Sequence, residues 1–259
     1  MNEPHVRGRL LLVPTPLDFG IHNHGPSPDL QQILPLGVIR QAAALTHWVA
    51  ENARTARAFL KRVDAIVPLA QPLRALHVSE LPRPAKGVKD PQPPDLDALL
   101  APALQGQDIG LVSEAGLPGV ADPGALLVQA AHRLGVAVLP LPGASSLLLA
   151  LAASGLNGQS FAFVGYLPVE AAARAARIRE LDALSRRSRQ AQLLIETPYR
   201  NPALLAALLT HLQPATRLSV SCGLTLPKGW TRSDSVAAWR VRHSPLPADV
   251  PAVFALQAA

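Results

Sequence analysis

Residues 111–118 read Leu111-Val112-Ser113-Glu114-Ala115-Gly116-Leu117-Pro118, and Asp122-Pro123-Gly124 follow shortly after. An apolar run, Ile109 to Ser113, breaks directly into small residues, an acid and a glycine-proline turn. That is the pattern of a strand whose carboxyl end opens into a binding loop, the place where open α/β sheets hold their ligands. Glycine at 116 allows backbone groups to approach a ligand with no side chain between. Asp122 stands where it can cap a helix starting near Pro123, or face a ligand from the same loop.

Upstream, Leu10 to Val13 is a short continuous apolar run ending in Pro14-Thr15-Pro16, which suits a strand covered on both faces of a parallel sheet. The segment from Met1 to Leu12 reads as this first strand and its approach, since its apolar run is too short for a signal peptide. Asp18 to Pro35 is rich in His, Gly, Pro, Asn and Asp without periodicity and reads as a mobile loop. His22 and His24 in it lack the fixed spacing of a metal site. A helix is expected from Leu36 to about Leu45, a strand over Thr46 to Ala50 and a helix over Arg54 to Arg62. Pro82 to Pro94, with five prolines, is expected to be an extended surface loop.

Downstream, Leu139-Pro140-Leu141-Pro142-Gly143-Ala144-Ser145-Ser146 ends a strand and opens the apolar helix from Leu147 to Ala153, whose first N–H groups can hold a polar ligand. Further strands are expected at Val136–Leu139, Phe161–Val164, Leu193–Glu196, Leu218–Ser221 and Ala252–Leu256, most of them separated by helical segments. The alternation argues for an α/β protein with a largely parallel first half. The pattern changes near Pro142, which divides the chain into an N-terminal α/β domain, 1–142, and a C-terminal one, 143–259.

Composition narrows the function classes. With 49% hydrophobic and 16% charged residues the chain has the material for a packed core. A single cysteine, Cys222, rules out an intrachain disulfide and a cysteine-rich zinc site, and fits a reducing cytoplasm. Leu147 to Leu156, the most apolar stretch, is about half the length of roughly 20 residues needed to cross a bilayer, so no membrane span is expected. A net charge of +6 favours an anionic, phosphate-bearing partner, and equally fits an ordinary basic surface. There is no Gly-x-x-x-x-Gly-Lys-Ser/Thr loop, no Gly-x-Gly-x-x-Gly after the first strand, no Gly-x-Ser-x-Gly elbow and no His-Glu-x-x-His helix. Simple kinase, dehydrogenase, serine hydrolase and zincin readings lose their support.

The ordered set Leu12-Val13-Pro14-Thr15-Pro16, Val112 to Pro118, Asp122-Pro123-Gly124, Leu141 to Ser145 and Ile195-Glu196-Thr197-Pro198-Tyr199-Arg200 resembles the tetrapyrrole methylase superfamily over nearly the whole chain. It is most similar to the branch that methylates ribose 2′-hydroxyls of small-subunit ribosomal RNA. Gly165-Tyr166-Leu167-Pro168, followed by Arg174, Arg177 and Arg179, also matches that branch. The resemblance implies two α/β lobes with a mostly parallel N-terminal sheet, a mixed C-terminal sheet and a cofactor cleft between them. It also implies S-adenosylmethionine as cofactor, no metal, and a homodimer.

Carried onto this sequence, the resemblance assigns cofactor binding to Pro14, Ser113, Glu114, Ala115, Gly116 and Asp122. To these it adds Pro142, Gly143, Ser145, Ser146, Glu196 and Leu224. Where the branch has Ala-Glu-Asp-Thr-Arg, this chain reads Ala50-Glu51-Asn52-Ala53-Arg54, keeping Glu51 as candidate base and Arg54 as candidate substrate-positioning group. A helix-surface ion pair between those two is the plainer reading. Asp18-Phe19-Gly20 in place of a Gly-Asn-Leu segment, and Gly223-Leu224-Thr225-Leu226 in place of Glu-Leu-Thr-Lys, mark a divergent paralogue. Methylation of a small molecule such as a tetrapyrrole, and a non-catalytic RNA- or cofactor-binding module, stand as alternatives.

Overall fold

The computed structural model describes residues 6–18, 28–82, 95–242 and 245–259. The expected loop at Pro82 to Pro94 and the histidines His22 and His24 lie outside the described residues, save for Pro82 itself. The chain forms two compact units, Met1–Ala144 and Ser145–Ala259.

The first unit runs β1 (Arg9–Leu12), α1 (Leu36–Ala44), β2 (His47–Ala50), α2 (Ala53–Asp64), β3 (His77–Glu80), α3 (Ala101–Leu104), β4 (Ile109–Val112), α4 (Ala125–Arg133) and β5 (Ala137–Pro140). Its five strands lie in the order β3-β2-β4-β1-β5, and every pairing is parallel. All four residues of β4 are buried, as a central strand covered by helices on both faces requires. Register Leu10↔Ile109 and Ala50↔Val112 brings the ends of β1, β2 and β4 level, so the segments that follow them emerge side by side. Amphipathic α2 buries Ala56, Phe59, Leu60 and Val63. Its start is set by Asn52, whose side-chain oxygen accepts the Arg54 N–H at 2.9 Å. Trp48 is buried at 1% exposure, and its indole N–H donates to the Leu45 carbonyl at 3.3 Å. Room for the ring comes from Gly110 in β4, where a Cβ would lie 2.5 Å from two ring carbons.

The second unit runs α5 (Ser146–Ser154), β6 (Phe161–Phe163), α6 (Ala171–Ser188), β7 (Ala191–Ile195), α7 (Asn201–His211), β8 (Arg217–Cys222), β9 (Trp230–Ser235), α8 (Val236–Val241) and β10 (Ala252–Gln257). The sheet order is β6-β7-β10-β8-β9. Only β6–β7 is parallel among these pairings, so the sheet is mixed. Its core holds Trp239 and Phe254, both fully buried, with the Trp239 N–H donating to the Leu218 carbonyl at 2.8 Å.

Two strands escape the sequence reading, β3 and β9. Both are sheet edges, and neither has a residue buried enough to impose an apolar alternation. A second correction concerns Asp122. Helix α4 begins at Ala125, and its cap is Gly124 at φ 133°, with no side-chain cap. The left-handed backbone that Gly124 supplies carries the chain into the helix, and the Asp122 carboxyl turns to Ser113 instead.

Candidate active site

The segments leaving the parallel sheet at the carboxyl ends of β1, β2 and β4 build the site. From β1 the chain continues through Val13, whose N–H donates to the Leu111 carbonyl at 2.9 Å, alongside the loop that follows β4. Thr15 and Gly116 then fasten the two segments by an antiparallel bridge. The Thr15 N–H donates to the Gly116 carbonyl at 2.9 Å, and the Gly116 N–H to the Thr15 carbonyl at 3.1 Å. Gly116 has φ 77°, a left-handed conformation that any side chain would strain. So the glycine is demanded by the backbone, and its N–H is spent on Thr15. A second lock joins Pro14 to Gly143, where a Cβ would fall 2.2 Å from the proline ring. Pro142 and Gly143 themselves are exposed.

Three carboxylates gather beside this loop. Pairing between β2 and β4 extends one step to the Glu51 N–H, which donates to the Val112 carbonyl at 3.3 Å. Its carboxylate in turn accepts the Glu114 N–H at 3.3 Å. Asp122 lies close enough to both acids for their charge to act on it, and it accepts a hydrogen bond from Ser113. Burial first, then the Glu51 charge, push the Asp122 carboxyl up to about 6, with Glu114 adding to the rise and the Ser113 hydrogen bond opposing it. Ser113 and Ala115 are buried, whereas Glu114 and Asp122 are half-buried. Arg54 sits in the first turn of α2 and is exposed. Asn52, which stands where the related branch has a carboxylate, is occupied as the helix cap, and the Ala53 N–H beside it donates to Glu80 at 2.7 Å.

The remaining candidates belong to the second unit. Ser145 is the residue before α5, buried at 8% exposure, and Ser146 is the first helical residue; the Ser145 hydroxyl does not cap the helix. Glu196 follows β7, and its carboxylate accepts the Thr197 N–H at 2.8 Å and pairs with Arg200 at 3.0 Å. Leu224, in the turn after β8, packs against the cluster of Leu147, Ala150 and Leu151.

Sequence reasoning overlooked the Arg62–Asp18 ion pair at 2.8 Å, whose guanidinium also donates to the Pro28 carbonyl at 2.9 Å. No local signal couples a residue near the end of α2 to the segment after β1. Thr15 was visible within its Pro-Thr-Pro turn, but its bridging role depends on a partner far along the chain.

A family model described as Tetrapyrrole (Corrin/Porphyrin) Methylases matches residues 39–229. "Ribosomal RNA small subunit methyltransferase I" of Xylella fastidiosa is 35% identical over 175 residues, 67% of this chain and 54% of that protein. The protein of the same name from Synechocystis is 40% identical over 127 residues, 49% of this chain and 44% of its own length. The matched stretches thus span about half the length of these relatives. Among solved structures, the methyltransferase CobJ shares the fold with a TM-score of 0.56 at 18% identity, covering 97% of this chain and 95% of its own.

Proposed function

This chain belongs to the tetrapyrrole (corrin/porphyrin) methylases, and from that membership we propose that it transfers a methyl group from S-adenosylmethionine to a ribose 2′-hydroxyl of small-subunit ribosomal RNA. The observation that carries the reading is the acidic group Glu51, Glu114 and Asp122 at the carboxyl ends of the parallel strands, beside the fastened 113–116 loop. The relatives named for small-subunit RNA methylation supply the substrate class. A net charge of +6 supports a polyanionic partner.

The donor set fits the cofactor. The Asp122 carboxyl is lifted to about 6 by burial first and then by the Glu51 and Glu114 charges, and this half-buried group of acids suits a ligand bearing a sulfonium and an ammonium. When bound, S-adenosylmethionine supplies a methyl group that the sulfonium has already activated, so alignment and proton removal fall to the protein. Glu114 and Asp122 balance the positive charge, while Pro14, Ser113 to Gly116, Pro142 and Gly143 form the rigid walls. Ser145, Ser146, Glu196 and Leu224, in the second unit, are further cofactor contacts on the strength of the family resemblance alone. Glu51, oriented by the Glu114 N–H, takes the proton of the 2′-hydroxyl as its oxygen attacks. Arg54, exposed at the start of α2, holds a phosphate of the RNA. Two copies pair in the working enzyme, a reading supported by the exposed Leu148 and Leu149 on otherwise apolar α5. A cytoplasmic setting follows from an RNA substrate, and among the described residues no helix is long and apolar enough to cross a membrane.

The test is transfer of labelled methyl from S-adenosylmethionine into small subunits or their RNA. Wild-type protein incorporates label. Glu51→Gln lowers kcat by about 10²-fold or more, the usual worth of a general base, with cofactor affinity within about twofold of wild type. Equal kcat for Glu51→Gln removes that residue from the chemistry, and no incorporation by wild type removes the substrate class.

A further inference from the structure

We infer that α2 is an RNA-holding helix whose inner face walls a pocket for a base swung out of a single strand, while its outer stripe tracks the phosphates. This inference rests on the RNA reading above and deepens it. A cavity of about 560 Å³ lies between one face of α2 and the segments after β1 and β4, within the roughly 300–1,000 Å³ range of small-ligand pockets. Thr55, Ala58, Phe59 and Arg62 face it from the helix, at the i, i+3, i+4 and i+7 positions that share one side. Thr15 and Ser113–Glu114 face it from the sheet side, so the cavity adjoins the loop on which the acids gather.

Its chemistry suits a planar base. Phe59, with Pro16, Leu30 and Ile66, gives the walls an apolar surface for a ring, and Thr15, Thr55 and Glu114 supply polar atoms for its edge. Of the lining acids Asp18, Asp29 and Glu114, the first is neutralised by an ion pair. Asp18 is paired with Arg62 at 2.8 Å, and the Asp29 carboxylate accepts the Gln31 N–H at 3.0 Å. Beside the cavity, Arg54, Arg57 and Lys61 form a stripe at i, i+3 and i+7, all three exposed, with Lys61 also on the cavity wall. None of the three forms an ion pair among the described residues. A row of cations along the lip of an apolar pocket matches a base with its own phosphate backbone. The adenine of the cofactor carries no phosphate and gives that row nothing to hold.

The test uses the whole chain and two probes, a short single-stranded oligocytidylate and a sugar-phosphate strand of the same length lacking bases. Wild-type protein binds the first roughly tenfold more tightly, since stacking and edge contacts to one base are worth about that factor. Ala58→Trp, at an exposed cavity-lining position, fills the pocket and abolishes the difference, while affinity for S-adenosylmethionine stays within about twofold. Ala65→Phe, about two turns further along the same wall, does the same should the first variant prove unfolded by circular dichroism. Arg57→Gln with Lys61→Gln weakens both probes equally. The inference is overturned if the filled variants keep the base-dependent gain, if they weaken S-adenosylmethionine in parallel, which makes the cofactor's adenine the occupant, or if wild type does not discriminate between the probes. Base-dependent binding without methyl transfer would retain this pocket and discard the catalytic reading.

Discussion

At the scale of single residues, Asp122 has the most testable chemistry. Its carboxyl stands at about 6 in the folded chain, against an ordinary value near 3.9. The folded state therefore holds the extra proton across that interval. The group favours folding at acid pH, and the contribution is lost as pH rises through about 6. A cationic ligand prefers the carboxylate and so expels the proton. Affinity for S-adenosylmethionine should accordingly climb with pH up to about 6 and level off above it, and Asp122→Asn should flatten the profile. Calorimetric titrations at several pH values read this directly, and a flat wild-type profile would remove Asp122 from the cofactor's surroundings. Ser113, Glu114 and Asp122 were legible as candidates because they sit in a short loop motif after a strand, and Glu51 because it matches a motif of the family. What each one does was less legible. The roles of Gly116 and Asp122 depend on Thr15, Gly124 and Ser113, whose placement only the folded backbone fixes.

At the scale of elements, strands and helices with a buried face announced themselves, and those without one did not. Strand β4, buried throughout, and α2, with its apolar face and Asn52 cap, stand close to their expected bounds. Edge strands β3 and β9, reading His-Val-Ser-Glu and Trp-Thr-Arg-Ser-Asp-Ser, carry too little apolar pattern to be seen. Tight packing between elements was also invisible, because it depends on pairs. Gly110 in β4 lies under Trp48 in β2, with only 2.5 Å between a would-be Cβ and the ring. Gly110→Ala must displace the indole and disturb its hydrogen bond to Leu45. The expected loss is about 1–3 kcal/mol, as for other overpacked cores, read from urea unfolding followed by tryptophan fluorescence. An unchanged midpoint would show that the Trp48 pocket yields at no cost.

At the scale of the whole molecule, an alternating pattern with a change near Pro142 was enough to expect two α/β parts with a largely parallel first one, while the mixed second sheet was implied by the family resemblance. The structure has a parallel five-stranded sheet in one unit and a mixed one in the other. The order of motifs along the chain, rather than any single motif, carried the family resemblance, and the family model matches residues 39–229. The acceptor is the part that sequence and fold together approach least directly, because it is read by surfaces and not by the core. The most direct test of the account is therefore the identity of the methylated product. Small-subunit RNA from cells lacking this protein is incubated with the whole chain and S-adenosylmethionine, digested to nucleosides and analysed by mass spectrometry. The account predicts one new 2′-O-methylated nucleoside, formed less efficiently as salt rises because phosphate contacts release counterions. A base-methylated nucleoside, or methyl groups recovered only in a small-molecule fraction, would contradict it.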